Sequence, residues 1–528
     1  MRLLNDSNFR GASQYNRTVY QTWDLSLCEI ESRAKRRESS QDGGAAYAAI
    51  LILQTAAFFH HEHILEAIFK KASTSFSSAH YKKLDKKVIK SITGLLQLGE
   101  DQCWNGVMFH EGIRVLKSFS LIKEGPSSGI YTVHPLMHQW NRDRMAISEK
   151  QVMHKVAKLI LVHSIPSDDA AEDFALRRLL LVHIKANYQF QQQNYIKKEF
   201  DELEYSRFSN VMQENGLWKD AEDLQYQLLK IRKEKFGEMH HLTLASMAHL
   251  ASAIAYQGKT EDAEKLRMQV FNLCRKLLGP EHPDTLTSMN NLASTFSDQG
   301  QFEEAEKLQK QVLNLRRKLL GPEHPDILIS MNNLAITFSS QGQFEEAKKL
   351  QKQVLNLHTK LLGPEHPDIL TSMNNLAVTF SNQEQFEEAE KLQKQVLNLQ
   401  TKLLGPEHPD TLISISNLAS TFSYQGQFEE AEKLQKQILN LQTKVLGPEH
   451  PYTLTNMNNL ALTFLYQRKF EEAEKLQMQV LNLCRKVLGP EHPHTLTSIN
   501  NLASNFEVQG KFEEAEKLKM QVLNLHTQ

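Results

Sequence analysis

The residues of this chain that could do chemistry come in rows. The stretch "SMNNLASTF" (288–296) sets two amides, Asn290 and Asn291, side by side in an otherwise apolar pattern. Near copies begin at Ser330, Ser372, Ser414, Asn456 and Ser498, each 42 residues after the last. One row of amides is therefore Asn291, Asn333, Asn375, Asn417, Asn459 and Asn501. Beside it runs a second row, Asn290, Asn332, Asn374, Asn458 and Asn500, interrupted by Ser416. An asparagine side chain offers two donors and an acceptor. That set suits the backbone of an extended peptide, whose N–H and C=O groups need partners. The competing reading is that the amides bridge adjacent repeats or cap backbone carbonyls.

Other constellations carry less. One histidine sits in each "PEHP" segment (His282, His324, His366, His408, His450, His492). A single histidine per linker, without a second ligand close by, is poor metal geometry and reads as a turn residue. "HHEHI" (60–64) lacks the H-E-x-x-H spacing and reads as a polar turn between helices. "HPLMH" places His134 and His138 four apart on a helix, a spacing that could hold zinc, but no third ligand lies near. "GKT" (258–260) does not complete a phosphate-binding loop, because Ala253 stands where the upstream glycine belongs; no G-x-x-x-x-G-K-[ST] occurs in the chain. The letters G-x-S-x-G occur once, at 125–129, but they fall in a Gly-Pro-Ser-Ser-Gly hairpin turn and not between a strand and a helix, so no nucleophile elbow is read there. No catalytic residue, cofactor site or metal site is assigned, and the chain is not expected to be an enzyme.

The 42-residue unit reads as two helices. The first runs from about Thr285 to Gln299, with Leu286, Met289, Leu292, Ala293 and Phe296 at helical spacing. Gly300 ends it, since glycine accepts the left-handed conformation of a helix cap. The second runs from about Phe302 to Leu319, with Glu303 and Glu304 in its first turn and Arg316, Arg317 and Lys318 near its end, both complementing the helix dipole. "LGPEHP" then stops it. Such a pair cannot bury its own apolar face, so neighbours must stack. The units fall at 200–241, 242–283, 284–325, 326–367, 368–409, 410–451, 452–493 and 494–528. Glu384 and Arg468 replace the glycine between the two helices in two units. Held at positive φ, each would cost about 1 kcal/mol and soften the array locally.

The pattern N-L-A-x-x-F-x-x-Q-G-x-F-E-E-A-E followed by L-G-P-E-H-P resembles the 42-residue tetratricopeptide repeat of kinesin light chains, strongly over 242–528 and weakly over 200–241. The resemblance implies a right-handed α-solenoid whose first helices line a concave groove. It places the Asn291 row in that groove. Specificity would then come from positions that differ between units: Ile336, Val378 and Leu462 at one, Tyr424 and Tyr466 at another.

Residues 1–199 show no 42-residue phase and divide into a helical segment (1–84), a module at 85–148 and a helical connector at 149–199. A helix at about 107–118 leads into "SFSLIKEGPSSGIYTVHPLMHQW", where Phe119, Leu121 and Ile122, a Gly-Pro-Ser-Ser-Gly turn, and Ile130, Tyr131 and Val133 suggest a β-hairpin. "RRESSQDGG" reads as a loop. "YNRTVYQTWDLSLCEI", "AAILILQTAAFFHHEHI" and "SLIKEG…YTVHPLMHQWNRDRM" resemble the winged-helix region of fungal NLR-like receptors, in which a tetratricopeptide array often follows. That resemblance aligns His134 with a histidine that contacts ADP. The phosphate-binding motif of the nucleotide-binding domain does not occur in this sequence, so the expectation is a truncated receptor, a split receptor with its nucleotide-binding domain on a separate chain, or a protein that works without nucleotide.

The bulk numbers agree with a soluble protein. Net charge is −1, which argues against a nucleic-acid footprint or a membrane-surface patch over the chain as a whole. The most apolar run, 45–59, is too short to span a bilayer. Four cysteines (Cys28, Cys103, Cys274, Cys484) form no CxxC pair, which fits a reduced compartment and a cytoplasmic location. The expected fold is all-α, a solenoid preceded by a small helical module with one hairpin. The expected function is a non-catalytic scaffold or sensor taking a protein or peptide in its groove, as an NLR-like chain without its NTPase domain. Alternatives are a kinesin-light-chain-like cargo adaptor, against which the lack of sustained heptads in 1–199 counts, and an enzyme with an unrecognised N-terminal site.

Overall fold

The computed structural model describes residues 14–36, 41–76, 84–96, 104–125, 128–166, 171–193, 202–321, 323–362 and 366–526. Cys103, the first thirteen residues, and Pro126 and Ser127 of the expected turn lie outside them. The chain is all-α with very little sheet and divides into two compact units, 1–211 and 212–528.

The first unit contains α1 (Gln14–Arg36), α2 (Gln41–Ala56), β1 (Ile64–Leu65), α3 (Glu66–Ser75), α4 (Lys86–Leu95), α5 (Val107–Ser118), β2 (Lys123–Glu124), β3 (Ile130–Thr132), α6 (Pro135–Arg144), α7 (Ile147–Ser164) and α8 (Ala171–Gln193); α9 (Glu202–Glu214) begins in it. Of the expected loop "RRESSQDGG", Arg36 belongs to α1 and Gln41 to Gly44 belong to α2, and residues 37–40 lie outside the described ones. Small residues explain the packing there. A Cβ on Gly44 would come 2.7 Å from the terminal carbon of Met108, and one on Gly112 would come 2.9 Å from the backbone nitrogen of Ala49. Glycine and alanine thus let α2 and α5 approach closely.

The expected single hairpin is part of a three-stranded antiparallel sheet of order β1-β3-β2, with Ile64 opposite Tyr131 and Lys123 opposite Thr132. "HHEHI" is therefore not only a turn. His63 takes φ +57° and Ile64 enters the sheet. The loop is clamped by the buried His183, whose Nδ1 accepts from the His60 N–H at 3.1 Å and whose Nε2 lies 2.9 Å from the His63 carbonyl.

"HPLMH" has a structural job. His134 caps α6 by accepting the Leu136 N–H at 3.2 Å. His138, Asn141 and Arg142 point at the carbonyls at the end of α2 and just beyond: His138 Nε2 lies 3.0 Å from Ala56 O and 3.1 Å from Phe59 O, Asn141 donates to Leu53 O and Arg142 to Ala57 O. Helix ends leave such carbonyls without intrahelical partners, and α6 supplies them.

The second unit opens with the end of α9 and α10 (Trp218–Phe236). Seven helix pairs follow: α11 (His241–Tyr256) with α12 (Thr260–Leu278), α13 (Pro283–Asp298) with α14 (Phe302–Leu320), α15 (Pro325–Ser340) with α16 (Phe344–Leu362), and α17 (Pro367–Asn382) with α18 (Phe386–Leu403). Then come α19 (Pro409–Tyr424) with α20 (Phe428–Val445), α21 (Pro451–Tyr466) with α22 (Phe470–Val487), and α23 (Pro493–Val508) with α24 (Phe512–His526). The core crosses unit boundaries. Leu313 of α14 buries itself with Ile327, Met331, Leu334 and Phe338 of α15 and with Ala347 and Val354 of α16. No pair could bury these faces alone, which makes neighbouring repeats interdependent.

Two punctuation marks set the pairs. Between first and second helix, Gly300 takes φ +77°, and its counterparts Glu384 and Arg468 are held at φ +61° despite their side chains. Between units, the linker histidine is more than a turn residue. In His282, His324, His366, His408, His450 and His492, Nδ1 accepts the N–H two residues on at 3.1–3.2 Å, and proline occupies the first helical position. Each histidine is an N-cap, a position usually held by Ser, Thr, Asp or Asn.

Candidate functional site

Successive first helices touch one another, α13 with α15, α15 with α17, α17 with α19, α19 with α21 and α21 with α23, and among the described residues no successive second helices approach as closely. The first helices therefore form the inner, more tightly curved side of the repeats. Along α15 the residues Asp326, Ile329, Asn333, Ile336 and Ser340 recur at intervals of three and four and so share one face. The equivalent stripe of α19 is Asp410, Ile413, Asn417, Ser420 and Tyr424.

Both amide rows are adjacent, as the sequence requires, and the structure joins them in pairs. Asn333 Nδ2 donates to Asn290 Oδ1 at 3.2 Å, Asn375 to Asn332 at 3.1 Å, and Asn417 to Asn374 at 3.3 Å. The second amide of one unit thus bridges to the first amide of the unit before. The pairing stops at the third bridge: Ser416 stands where Asn459 would need a partner, and Asn458 donates to Ser498 Oγ at 3.0 Å instead. Asn291, Asn459 and Asn501 are half-buried and outside these bridges, Asn374 is buried and Asn500 exposed.

The variable positions divide. Ile336 is exposed on the inner stripe, with Val378 and Leu462 half-buried at the same place. Tyr424 and Tyr466 lie at the end of their helices, where each stacks on the first residue of the preceding unit's second helix: Tyr424 on Phe386 at 6.4 Å and Tyr466 on Phe428 at 5.5 Å between ring centroids. They sit at the edge of the stripe rather than its middle.

Comparison with known proteins settles the repeat. The family profile described as "Tetratricopeptide repeat" matches residues 244–318, 297–360, 340–402, 368–444, 415–483 and 465–528, together more than half of the chain. The chain belongs to the tetratricopeptide-repeat family. No curated protein matches it. Among solved structures it is similar to the nearly identical TPR-like repeats of a Podosopora anserina chain named as a kinesin light chain, at 36% identity, covering 39% of this chain and 97% of that one, with a TM-score of 0.35. It is also similar to the apo form of the quorum sensor NprR from B. thuringiensis (16% identity, 67% and 97% covered, TM-score 0.44). A third is a signal transduction ATPase with numerous domains and a tetratricopeptide repeat sensor from Pyrococcus horikoshii (13%, 91% and 64% covered, TM-score 0.37).

Three further features of this tetratricopeptide array bear on the site. The first rung of the inner row is His249, in phase with Asn291, and burial lowers its pKa, with Arg232 adding to the effect. Behind the amides lies a row on the second helices: the half-buried Arg267, which donates to the Asn291 carbonyl and Thr295 Oγ1, then the buried Gln309, Gln351, Gln393, Gln435 and Gln477. Gln477 donates to the Asn501 carbonyl at 3.3 Å. The spacing of this row from Ala305 and Val312 would have placed it on the core face. Finally, none of the seven first helices α11, α13, α15, α17, α19, α21 and α23 contains a lysine or arginine. The inner stripe is amide, hydroxyl and aliphatic, with carboxylates such as Asp326 and Asp410 at the linker edge.

Among the described residues no three His, Cys, Asp or Glu side chains gather as a metal site, and no helix is long and apolar enough to cross a membrane.

Proposed function

We propose that this tetratricopeptide-repeat chain is a non-catalytic scaffold or sensor that binds an extended peptide or partner protein along its inner face. The observation that supports this most is the make-up of that face. Amides of Asn459 and Asn501 outside the Asn–Asn bridges can serve a peptide backbone. Ile336, Val378 and Leu462 offer apolar contact, and the lack of basic residues on the first helices disfavours an acidic ligand. The test is a random peptide library displayed on phage and selected on the full chain, followed by calorimetry on enriched peptides. Asn459→Ala/Asn501→Ala should weaken them about tenfold, the equivalent of one or two hydrogen bonds. Selection that enriches nothing, or unchanged affinity in a folded variant, overturns the reading.

We further propose that the first unit corresponds to the winged-helix region of a fungal NLR-like protein, either as part of a truncated or split receptor or as a module that works without nucleotide. The order α5, β2–β3 hairpin, α6, with His134 at the start of α6, supports this. Equilibrium dialysis with labelled ADP should show no retention by this chain alone; retention would overturn it and favour an N-terminal nucleotide site. The free thiols of the buried Cys274 and Cys484 support a cytoplasmic location.

A further inference from the structure

Two of the glycines between first and second helices are unlike the rest. A Cβ on Gly300, Gly342, Gly426 or Gly510 would meet nothing within 4 Å. A Cβ on Gly216 would lie 2.6 Å from Cδ of Pro451, and one on Gly258 would lie 2.5 Å from Cδ of Pro493. Each proline is 235 residues beyond its glycine, so the two contacts are one contact repeated a unit apart. The elbows of the first two units thus pack on the starts of α21 and α23, six units further along, and the array touches itself after a full turn.

The contact has its own chemistry. Trp218 stacks on Tyr256 at 5.6 Å and 19°, and on His492 at 6.2 Å and 16°. His492 in turn stacks on His494 at 5.3 Å and 20°. Because Nδ1 of His492 accepts the His494 N–H, the proton of the neutral ring is on Nε2, which faces the Tyr256 carbonyl at 3.4 Å. His450 and His492 are buried, whereas the histidines of the open linkers range from His408, whose side chain is 13% exposed, to His282 and His366 at 40%.

The sequence distinguishes the covered linkers from the open ones. After the His-Pro pair, the open linkers continue with Asp284, Asp326, Asp368 and Asp410. At the two covered linkers the same place holds Tyr452 and His494. Trp218, the stacking partner, stands where later units carry threonine or phenylalanine.

We propose that this contact is a latch that holds the second unit closed on itself and controls access to its inner face. Closed, the turn surrounds its own inner face, so an internal segment of a folded partner cannot enter sideways; an open array can admit it. The closure stands on the contacts alone. The control of access rests on the peptide-binding reading given above, and a ligand's apparent affinity then scales with the open fraction.

The test compares matched variants of the full chain by small-angle scattering without ligand, with helicity checked by circular dichroism. Gly258→Ala and Gly300→Ala introduce the same left-handed alanine, but only the former collides with Pro493. His492→Asn and His324→Asn both keep an N-capping side chain, but only the former removes the stack on Trp218. The latch predicts a larger radius of gyration for Gly258→Ala and His492→Asn, and an unchanged one for the two controls. Equal radii in both members of each pair overturn it. Should Gly258→Ala fail to fold, His492→Asn decides alone. Where the radius grows, faster association of a groove-selected peptide flanked on both sides by folded domains supports control of access. An unchanged rate leaves the closure standing and overturns its role in binding.

Discussion

The side-chain nitrogen of Asn333 donates to the side-chain oxygen of Asn290 at 3.2 Å, across the boundary between two repeats. The same relationship joins Asn375 to Asn332 and Asn417 to Asn374. Neighbouring units are thus joined by polar bridges on the inner side as well as by the shared apolar core. An amide uses only part of its capacity in such a bridge, so positioning the rungs and serving a ligand are compatible roles.

Asn375→Ala removes a bridge and leaves the Asn332 oxygen without that donor. A loss of about 1 kcal/mol is expected, the usual net worth of one hydrogen bond. Asn459→Ala, opposite Ser416, removes no Asn–Asn bridge and should stay within about 0.5 kcal/mol of the parent. Urea unfolding followed by circular dichroism reads both. Equal losses would mean that the bridges contribute nothing specific.

The repeats are legible in the sequence because their signals are local. Apolar spacing, Gly300 and the Gly-Pro of each linker fix helix type and ends within a single unit. The amide rows are legible too, but not their pairing, because Asn333 and Asn290 meet only once the curvature between units is set. Linker histidines conceal their role for another reason. A histidine nitrogen can accept like an aspartate oxygen, but capping preferences do not lead with histidine. Strand β1 is only two residues long, Ile64 and Leu65, too short for an alternating pattern to show. The contact of Gly258 with Pro493 depends on the pitch of the whole array, which no single unit encodes.

Glu384 and Arg468 sit at φ +61°, where every other described elbow has glycine. A side chain in that region costs about 1 kcal/mol. Glu384→Gly and Arg468→Gly should therefore each raise stability by roughly that amount, visible as a higher unfolding midpoint. A fall in midpoint would show that the side chains contribute more than their backbone strain costs.

His366 Nδ1 accepts the Asp368 N–H at 3.2 Å. His366→Ala leaves that donor at the helix start unsatisfied and should cost about 1 kcal/mol, while His366→Asn should restore most of it. Thermal unfolding of the pair separates capping from ring packing. If Asn is no better than Ala, the imidazole stabilises through its ring contacts and not through the cap.

In the first unit, burial is the leading cause that pushes His138 down to about 3, and His154 and His183 down to about 4. Their folded values lie below the unfolded value of about 6.5. Above that pH the rings are neutral in both states, and the stability that they allow is fully present. As pH falls below about 6.5, the unfolded chain binds protons that the folded chain refuses, so stability declines until the folded values near 4 are reached. Each ring contributes a slope of up to about 1.4 kcal/mol per pH unit. Three of the four tryptophans, Trp23, Trp104 and Trp140, lie in this unit, so their emission reports its unfolding. The urea midpoint read by fluorescence should drop between pH 7 and pH 5. His183→Gln, which lacks the titrating ring, should start lower and flatten the dependence. A midpoint constant over that range would show that the rings are not held neutral by burial.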